Sequence, residues 1–240
     1  MEPTIIYEDD ALLAVNKPSG LIVYPDGKHA YPALSEWLDK YKKTGAGFKE
    51  FYLVHRIDRE TSGILLVAKT QDAYDFLKEE FAQRGIKKTY RAFVYGTLKE
   101  DRGIIERPIG SARGGMGPRS ATRPHGTMRE AVTAYSVRSR YKGEDGATAT
   151  YVDVFPKTGR THQLRVHLAA IGHPIVGDAL YGRDRTRPAG PLIQRQALHA
   201  ERLTFRHPHT GLSMSFVAPL AADLVALRRR CSPGARAPAA

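Results

Sequence analysis

The residue with the clearest chemical potential is Asp58, which lies in the polar stretch HRIDRETSG at residues 55–63. Arg56 and Arg59 flank this carboxylate, and apolar residues precede and follow the stretch. A carboxylate can act as a nucleophile or a base, and a polar loop between two buried strands positions its side chains rigidly. An ordinary turn, in which Asp and Thr bind backbone groups, has the same spacing and is favoured on spacing alone.

A second polar cluster, PKTGRTHQLRVH at residues 156–167, combines cations with the start of a predicted helix. Backbone amides at a helix N-terminus, together with Arg160, would favour an anion. Arg165 follows about one turn later, on a face away from the apolar stripe of Leu164 and Leu168. An amphipathic surface helix with a solvated basic face explains this pattern equally well.

The histidines could suggest a metal site, because pairs of them lie close in sequence. These are His162 with His167, and His207 with His209. Their spacing matches no zinc motif and the chain has a single cysteine, so we expect no metal. No phosphate-binding glycine loop or dinucleotide motif occurs, so we expect no nucleotide cofactor.

Glycosidase chemistry is a further possibility for a carboxylate, but it requires two facing acids. Asp153 and Asp178 are available, and nothing in the sequence singles out either as a partner for Asp58.

The elements that must position these residues are mostly strands. Short apolar runs with β-branched residues predict strands at Leu12–Val15, Leu21–Tyr24, Ile64–Ala68, Tyr90–Tyr95 and Tyr151–Phe155. Helical spacing predicts helices over 72–84, capped by Gly85, and over 162–171, with Thr161 as N-cap. Leu203–Phe205 and Met214–Val217 flank a turn as in a hairpin. Strands outnumber helices without alternating with them, which predicts an α+β fold with a mixed, mostly antiparallel sheet.

The charge indicates the class of partner. The formal net charge is +12, and the stretch from Arg102 to Arg140 contains eight arginines but only two acidic residues. Such an excess favours a nucleic acid as partner, although a basic surface tuned only for solubility is an alternative. No segment is apolar enough to span a membrane, and the acidic N-terminus and lone Cys231 predict a cytoplasmic protein. Residues 110–130 are predicted to be a mobile basic loop.

Five stretches, taken together, resemble the RluA-type pseudouridine synthases. They are LLAVNKPSGLIVYP at 12–25, HRIDRETSG at 55–63, KKTYRAFVYG at 87–96, PKTGRTHQLRVHLAAIGHPIVGDALYG at 156–182, and RQALHAERLTFRHPHTG at 195–211. They follow the family's order along most of the chain. Ile57 and Tyr24 depart from it, where Leu and His are usual.

The resemblance implies the pseudouridine synthase α+β fold, with an active cleft across the middle of a long mixed sheet. It implies a catalytic domain over 1–227 without the N-terminal RNA-binding domain of many members. The composition of residues 228–240 predicts a basic, disordered tail. The resemblance also implies an enzyme that modifies uridines in rRNA or tRNA, and we expect this enzyme to be a monomer. The sequence does not distinguish these two RNAs.

The resemblance also assigns roles to residues. Asp58 is implied to be the catalytic aspartate, Tyr90 to lie against the target base, and Arg165 to pair with Asp58. Arg56 is implied to help extrude the target nucleotide, and we expect Arg160 and Lys88 to contact RNA as well. A noncatalytic RNA-binding module or a small-molecule nucleosidase are the competing hypotheses. Asp58, Tyr90 and Arg165 together argue against the first, and the basic charge argues against the second.

Overall fold

A computed structural model of the chain describes residues 2–25, 27, 29–45, 48–111, 119–122, 125–142, 148–182 and 193–231. The chain divides into two compact units. The first unit comprises Met1–Lys88 and His199–Ala221, and the second comprises Thr89–Leu198 and Ala222–Ala240. Within the described residues, no helix combines the length and apolar character needed to cross a membrane.

The first unit contains a mixed sheet with two central strands whose apolar residues are buried. Its strands are β1 (Thr4–Glu8), β2 (Leu12–Lys17), β3 (Tyr52–Leu53), β4 (Ser62–Ala68), β12 (Leu198–Arg206) and β13 (Ser213–Val217). β4 pairs antiparallel with β2 and β3 and parallel with β12, while β1 pairs with β2 and β13 with β12. Ile64–Ala68 is buried throughout because both of its faces are covered. The strands predicted at Leu12–Val15 and Ile64–Ala68 and the hairpin are confirmed.

The helices of the first unit are α1 (Leu34–Lys42) and α2 (Gln71–Ala82). α2 confirms the helix predicted over 72–84, and its N-cap is Thr70, whose hydroxyl accepts the Ala73 amide at 3.2 Å. The predicted cap at Gly85 is wrong in detail. Arg84 is the residue with the left-handed backbone (φ 62°). The strand predicted at Leu21–Tyr24 is also wrong, because only an isolated bridge, Ile22 to Ala33, forms there.

The second unit has an antiparallel sheet in the order β5 (Lys87–Tyr95), β11 (Thr148–Pro156), β10 (Val132–Lys142) and β6 (Arg102–Glu106). The predicted strands at Tyr90–Tyr95 and Tyr151–Phe155 are confirmed. The helix α3 (Gln163–Ala170) packs on β10 and β11. It confirms the helix predicted over 162–171, but its side chains from Gln163 to Leu168 are all buried. An amphipathic surface helix is therefore excluded.

Two further parts of the second unit differ from expectation. Residues 110–130 were expected to be a mobile basic loop, but their described part contributes to a small antiparallel sheet with order β8–β7–β9. Its strands are β7 (Ile109–Ser111), β8 (Arg119–Ser120) and β9 (His125–Arg129). The C-terminal helix α4 (Ala222–Arg230) continues past residue 227, where the tail was expected to begin. Its Leu224 and Leu227 are buried, so this segment packs like a helix of the core. Residues 232–240 lie outside the described residues.

Candidate functional site

Asp58 lies in the first unit, in the connection between β3 and β4, as the sequence predicted. We call residues 55–61 the Asp58 loop. The Asp58 side chain is half-buried, Ile57 is buried and Arg56 is exposed. The Thr61 amide donates to the Asp58 carbonyl at 3.1 Å, which closes a turn of four residues around the carboxylate.

Lys17, at the end of β2, holds this loop from below with a fully buried ammonium group. Its Nζ donates to the carbonyls of Pro18 (2.8 Å), Leu21 (2.7 Å) and Arg59 (3.0 Å). The Gly20 amide donates to the same Arg59 carbonyl at 2.9 Å. A buried charge is costly unless it is hydrogen-bonded, and three carbonyls engage the three donors of an ammonium group. The LLAVNKPSG segment therefore fixes the backbone next to Asp58.

His55 fixes the other end of the loop. Its Nε2 accepts the Leu66 amide at 2.9 Å, and its ring packs on Phe81 at a centroid distance of 4.8 Å. Burial and the nearby Lys88 ammonium lower the pKa of His55 to about 3, so the ring is neutral and suited to accept this hydrogen bond. Burial also lowers the pKa of Lys88, whose Nζ lies 5.9 Å from the Phe81 ring centroid.

The strand that leaves the loop is fixed by a close approach to β12. Gly63 has φ +116°, and a Cβ added there would lie 2.1 Å from the Ala200 carbonyl oxygen, so only glycine fits. Beside it, Ser62 Oγ and His199 Nδ1 form a buried hydrogen bond of 2.9 Å. His199 Nε2 lies 3.3 Å from the Ala218 carbonyl, which fits the tautomer protonated at Nε2. The HRIDRETSG and RQALHAE segments thus support each other.

Arg165 lies in the second unit on α3, and its side chain is about 10% exposed. Its Nε donates to Asp178 Oδ2 at 2.7 Å and its Nη2 to Asp178 Oδ1 at 2.9 Å, a bidentate pair. Asp178 Oδ1 also accepts the amides of Leu180 (2.9 Å) and Tyr181 (3.1 Å). Burial would raise the pKa of Asp178, but the Arg165 hydrogen bonds and charge and these two amides lower it below its usual value. Asp178 is therefore an ionised partner of Arg165.

Tyr181 covers the same arginine. The guanidinium carbon of Arg165 lies 5.1 Å from the Tyr181 ring centroid, within the range of a cation–π contact. The Tyr181 hydroxyl accepts the Arg119 amide at 3.0 Å and hydrogen-bonds His162 Nδ1 at 2.9 Å. It thereby links α3 to the β7–β8–β9 sheet.

Arg160 lies in the turn before α3, but its amide and its Nε donate to protein oxygens and do not form the expected anion site at the helix N-terminus. The N-cap is His162 rather than Thr161, with a left-handed backbone (φ 57°) and no side-chain cap hydrogen bond. The Arg160 amide donates to Gln163 Oε1 at 3.0 Å, and the Arg160 Nε donates to the Glu130 carbonyl at 3.0 Å. Gln163 thus occupies the donor that an anion would use.

Tyr90 lies on β5 and is half-buried, opposite Val154 of β11. Its neighbour Arg91 forms an ion pair with the buried Asp153, which Arg138 Nε also contacts at 2.6 Å. Side chains alternate along a strand, so Tyr90 lies on the face of β5 opposite Arg91. Asp153 and Asp178 are both engaged by arginines.

The histidines considered for a metal make hydrogen bonds within their own units. His167 contacts Thr133 Oγ1 (3.0 Å) and the Arg107 carbonyl (2.9 Å), and His207 Nε2 contacts Asp9 Oδ2 (2.8 Å). Over the described ranges, no three His, Cys, Asp or Glu side chains are grouped as metal ligands would be.

Sequence reasoning missed four residues that position the site residues. They are Lys17, His55, Gln163 and Asp178. A lysine or an aspartate inside an otherwise apolar run was the available signal, because such residues are seldom buried unless paired. The partner of Lys17 was not readable, since the Arg59 carbonyl is 42 residues away and meets Lys17 only in the fold. Gln163, by contrast, contacts the nearby Arg160 amide.

Comparisons with known proteins agree with the resemblance seen in the sequence. Residues 11–170 match the family model described as RNA pseudouridylate synthase. Ribosomal large subunit pseudouridine synthase D of Nitrosomonas europaea is 37% identical over 228 residues, covering 93% of this chain and 63% of that protein. Dual-specificity RNA pseudouridine synthase RluA of Pasteurella multocida is 39% identical over 217 residues, covering 90% and 92%.

Solved structures give the same answer for the fold. Human RNA pseudouridylate synthase domain containing 1 superposes with a TM-score of 0.77 at 28% identity, covering 99% of this chain and 91% of that chain. The predicted α+β pseudouridine synthase fold is thereby confirmed. The chain spans 63% and 59% of the length of the first two curated relatives that it matches.

Proposed function

Because the chain belongs to the RNA pseudouridylate synthase family, we propose that it is an isomerase that converts uridines of structured RNA to pseudouridine. Its substrates are rRNA or tRNA, as the names of its relatives suggest. It acts as a cytoplasmic monomer without metal or nucleotide cofactor. The family match over residues 11–170, which includes Asp58 and Arg165, carries this proposal.

The reaction is a heterolytic rearrangement that conserves all atoms of the nucleotide. The bond between uracil N1 and the sugar carbon C1′ breaks, the base turns, and a bond from C5 to C1′ forms. The proton on C5 leaves and N1 gains one, so nothing is oxidised. A carboxylate can attack the sugar or the ring, or remove the 2′ proton, and each of these assigns the central step to Asp58.

The rigidity of the Asp58 loop supports this role. Catalytic groups must be held within about 0.5 Å of their productive geometry, and this requires supporting hydrogen bonds. Lys17 and His55 make such hydrogen bonds, and the close approach of Gly63 to Ala200 fixes the strand that follows the loop. A surface turn with no chemical role would not require a buried ammonium beneath it.

The remaining residues bind and orient the RNA. Tyr90 stacks against the uracil of the extruded nucleotide, and the family resemblance assigns Arg165 a charge-stabilising part in the reaction. Arg56, exposed beside the loop, fills the space that the nucleotide leaves, which offsets part of the unstacking cost of a few kcal/mol. Arg160 and Lys88 contact the RNA backbone.

The test is a pseudouridine map of cellular RNA with and without the protein, which identifies both the activity and the modified position. Asp58→Asn should lower the single-turnover rate by at least about 10²-fold while RNA affinity stays near the wild-type value. Asp72→Asn, the same change at an exposed position on α2, is the matched control and should retain full activity. Pseudouridine maps that are identical with and without the protein, or an active Asp58→Asn variant, would contradict the proposal.

A further inference from the structure

Segment 174–182, with the sequence PIVGDALYG, contacts the guanidinium group of Arg165 both at its edge and on its face. Asp178 holds the edge of the Arg165 guanidinium in its plane, through hydrogen bonds of 2.7 and 2.9 Å. Tyr181 lies over the group, with 5.1 Å between its ring centroid and the guanidinium carbon. Contacts in the plane and above it together define both the tilt and the direction of the guanidinium.

The segment is itself built to hold that geometry. The Gly182 amide donates to the Asp178 carbonyl at 2.9 Å, which closes the turn that contains Asp178 and Tyr181. Gly177 has φ +73°, and a Cβ there would lie 2.2 Å from the Arg195 carbonyl oxygen. The Asp178 carboxylate, with no exposed area, is anchored by the amides of Leu180 and Tyr181. The position of the carboxylate is therefore fixed by contacts that do not involve the arginine.

Such fixation has a chemical consequence. An arginine side chain has several rotatable bonds, and a group that stabilises charge during a reaction is effective only when it is already oriented. With Nε and Nη2 bound to one rigid carboxylate, the direction of Nη1 is set by the backbone of the segment. A buried ion pair adds little net stability, so stability alone does not account for it.

We propose that Asp178 and Tyr181 are positioning residues for the isomerisation, which set the orientation of the Arg165 guanidinium. This inference rests on the proposed function, because it assigns Arg165 a part in the reaction. Neither residue touches the substrate. Both act through Arg165, so their loss slows the chemical step and leaves RNA binding in place.

The second unit offers a matched control for this proposal. Arg195 and Asp223 form a bidentate pair with hydrogen bonds of 2.7 and 2.8 Å. Asp178→Asn and Asp223→Asn therefore make the same chemical change in two pairs of the same geometry. A purely structural role predicts similar effects of the two variants on activity once the folded fraction is taken into account.

The experiment measures single-turnover pseudouridine formation and RNA affinity for both variants, using rRNA and tRNA from cells that lack the protein. We expect Asp178→Asn to lower the rate constant by about 10- to 100-fold, because misplacement of a group by about 1 Å can cost 10²-fold. Its Kd for RNA should change less than about threefold, and Asp223→Asn should keep the wild-type rate. In an Arg165→Lys background, Asp178→Asn should lower the rate constant little further, since both changes remove the same interaction between Arg165 and Asp178.

A folded Asp178→Asn variant with the wild-type rate, a loss equal to that of Asp223→Asn, or full additivity with Arg165→Lys would overturn the inference. If Asp178→Asn does not fold, Tyr181→Leu and Tyr181→Phe decide it instead. Phenylalanine keeps the ring over the guanidinium, so only the leucine variant should lose about tenfold or more in rate. Equal rates for these two variants would overturn the role of Tyr181. If the wild-type protein forms no pseudouridine, the proposed function itself is contradicted. Failure of the inference alone is seen only in the variants, while the wild type stays active.

Discussion

Two arginine–aspartate pairs of the second unit have nearly the same geometry in different surroundings. In both, Nε and Nη2 of the arginine donate to the two oxygens of one carboxylate, at 2.7 to 2.9 Å. The Asp178 side chain has no exposed area, whereas the Asp223 side chain is 41% exposed. The first pair joins α3 to a glycine-containing turn, and the second joins the RQALHAE segment to α4.

The other contacts of the two arginines also differ. Arg195 Nη1 donates to the carbonyls of Gln196 and Leu198, both at 3.1 Å, so backbone groups of its own neighbourhood hold it. Arg165 instead has an aromatic ring over its guanidinium. Arg195 therefore connects chain segments, whereas Arg165 holds a charged group in a defined orientation. Three experiments test this distinction.

The largest expected difference is in stability after removal of the carboxylate. Asp178→Ala removes a fully buried charged partner and the acceptor of two backbone amides, so we expect a loss of about 3–5 kcal/mol in the free energy of unfolding. Asp223→Ala leaves Arg195 bound to two carbonyls and removes a partly solvated carboxylate near the start of α4, which should cost about 1–2 kcal/mol. Chemical denaturation of both variants measures the difference. Equal losses would mean that burial of the carboxylate is not what separates the pairs.

Acidification should reduce the stability that the Asp178 carboxylate contributes to the fold. Burial raises the pKa of Asp178, but the hydrogen bonds and charge of Arg165 and two backbone amides together lower it below its usual value. The pKa of Asp223 is lowered against burial in the same way, by Arg195 and backbone amides. A lowered folded-state pKa stabilises the fold above the unfolded value of about 3.9, and this contribution disappears as the pH falls through the lowered value. The stability advantage of the wild type over Asp178→Asn should therefore be constant above about pH 5 and shrink below about pH 4.

Because His55 also makes stability depend on pH, the free energy of unfolding must be compared between the wild type and the variants at each pH. Its pKa is lowered from 6.5 to about 3, so its contribution to stability is present above 6.5 and declines as the pH falls from there towards 3. That loss is common to the wild type and to both aspartate variants, and it cancels when they are compared. An advantage over Asp178→Asn that grows on acidification would contradict the lowered pKa of Asp178.

The smallest expected effect is that of salt. The Asp223 carboxylate is exposed to solvent, so about 1 M salt should reduce its contribution by a few tenths of a kcal/mol. The contribution of the buried Asp178 should stay the same within error. Denaturation of the wild type and of the two alanine variants at low and high salt tests this. A larger salt effect at Asp178 would show that water reaches the pair.

The sequence alone determined the family, the α+β class and most of the strands, because these depend on patterns within short segments. The apolar run Ile64–Ala68 forms a buried strand, as its composition predicts, and the HRIDRETSG motif makes Asp58 the candidate catalytic residue without any coordinates. Local patterns failed where tertiary contacts decide the conformation. Leu21–Tyr24 has the composition of a strand, yet it is held by the Lys17 ammonium and a single bridge to Ala33.

The groups that hold the candidate site residues in place depend on contacts between distant segments, which the sequence did not predict. Asp178 and Arg165 are 13 residues apart, and Lys17 and the Arg59 carbonyl are 42 residues apart. In the sequence, Arg165 could equally have been a solvated surface residue, and nothing distinguished Asp178 from Asp153. The physical reason is that a charged side chain takes its role from its burial and its partners. Both are set by segments that meet only when the chain folds.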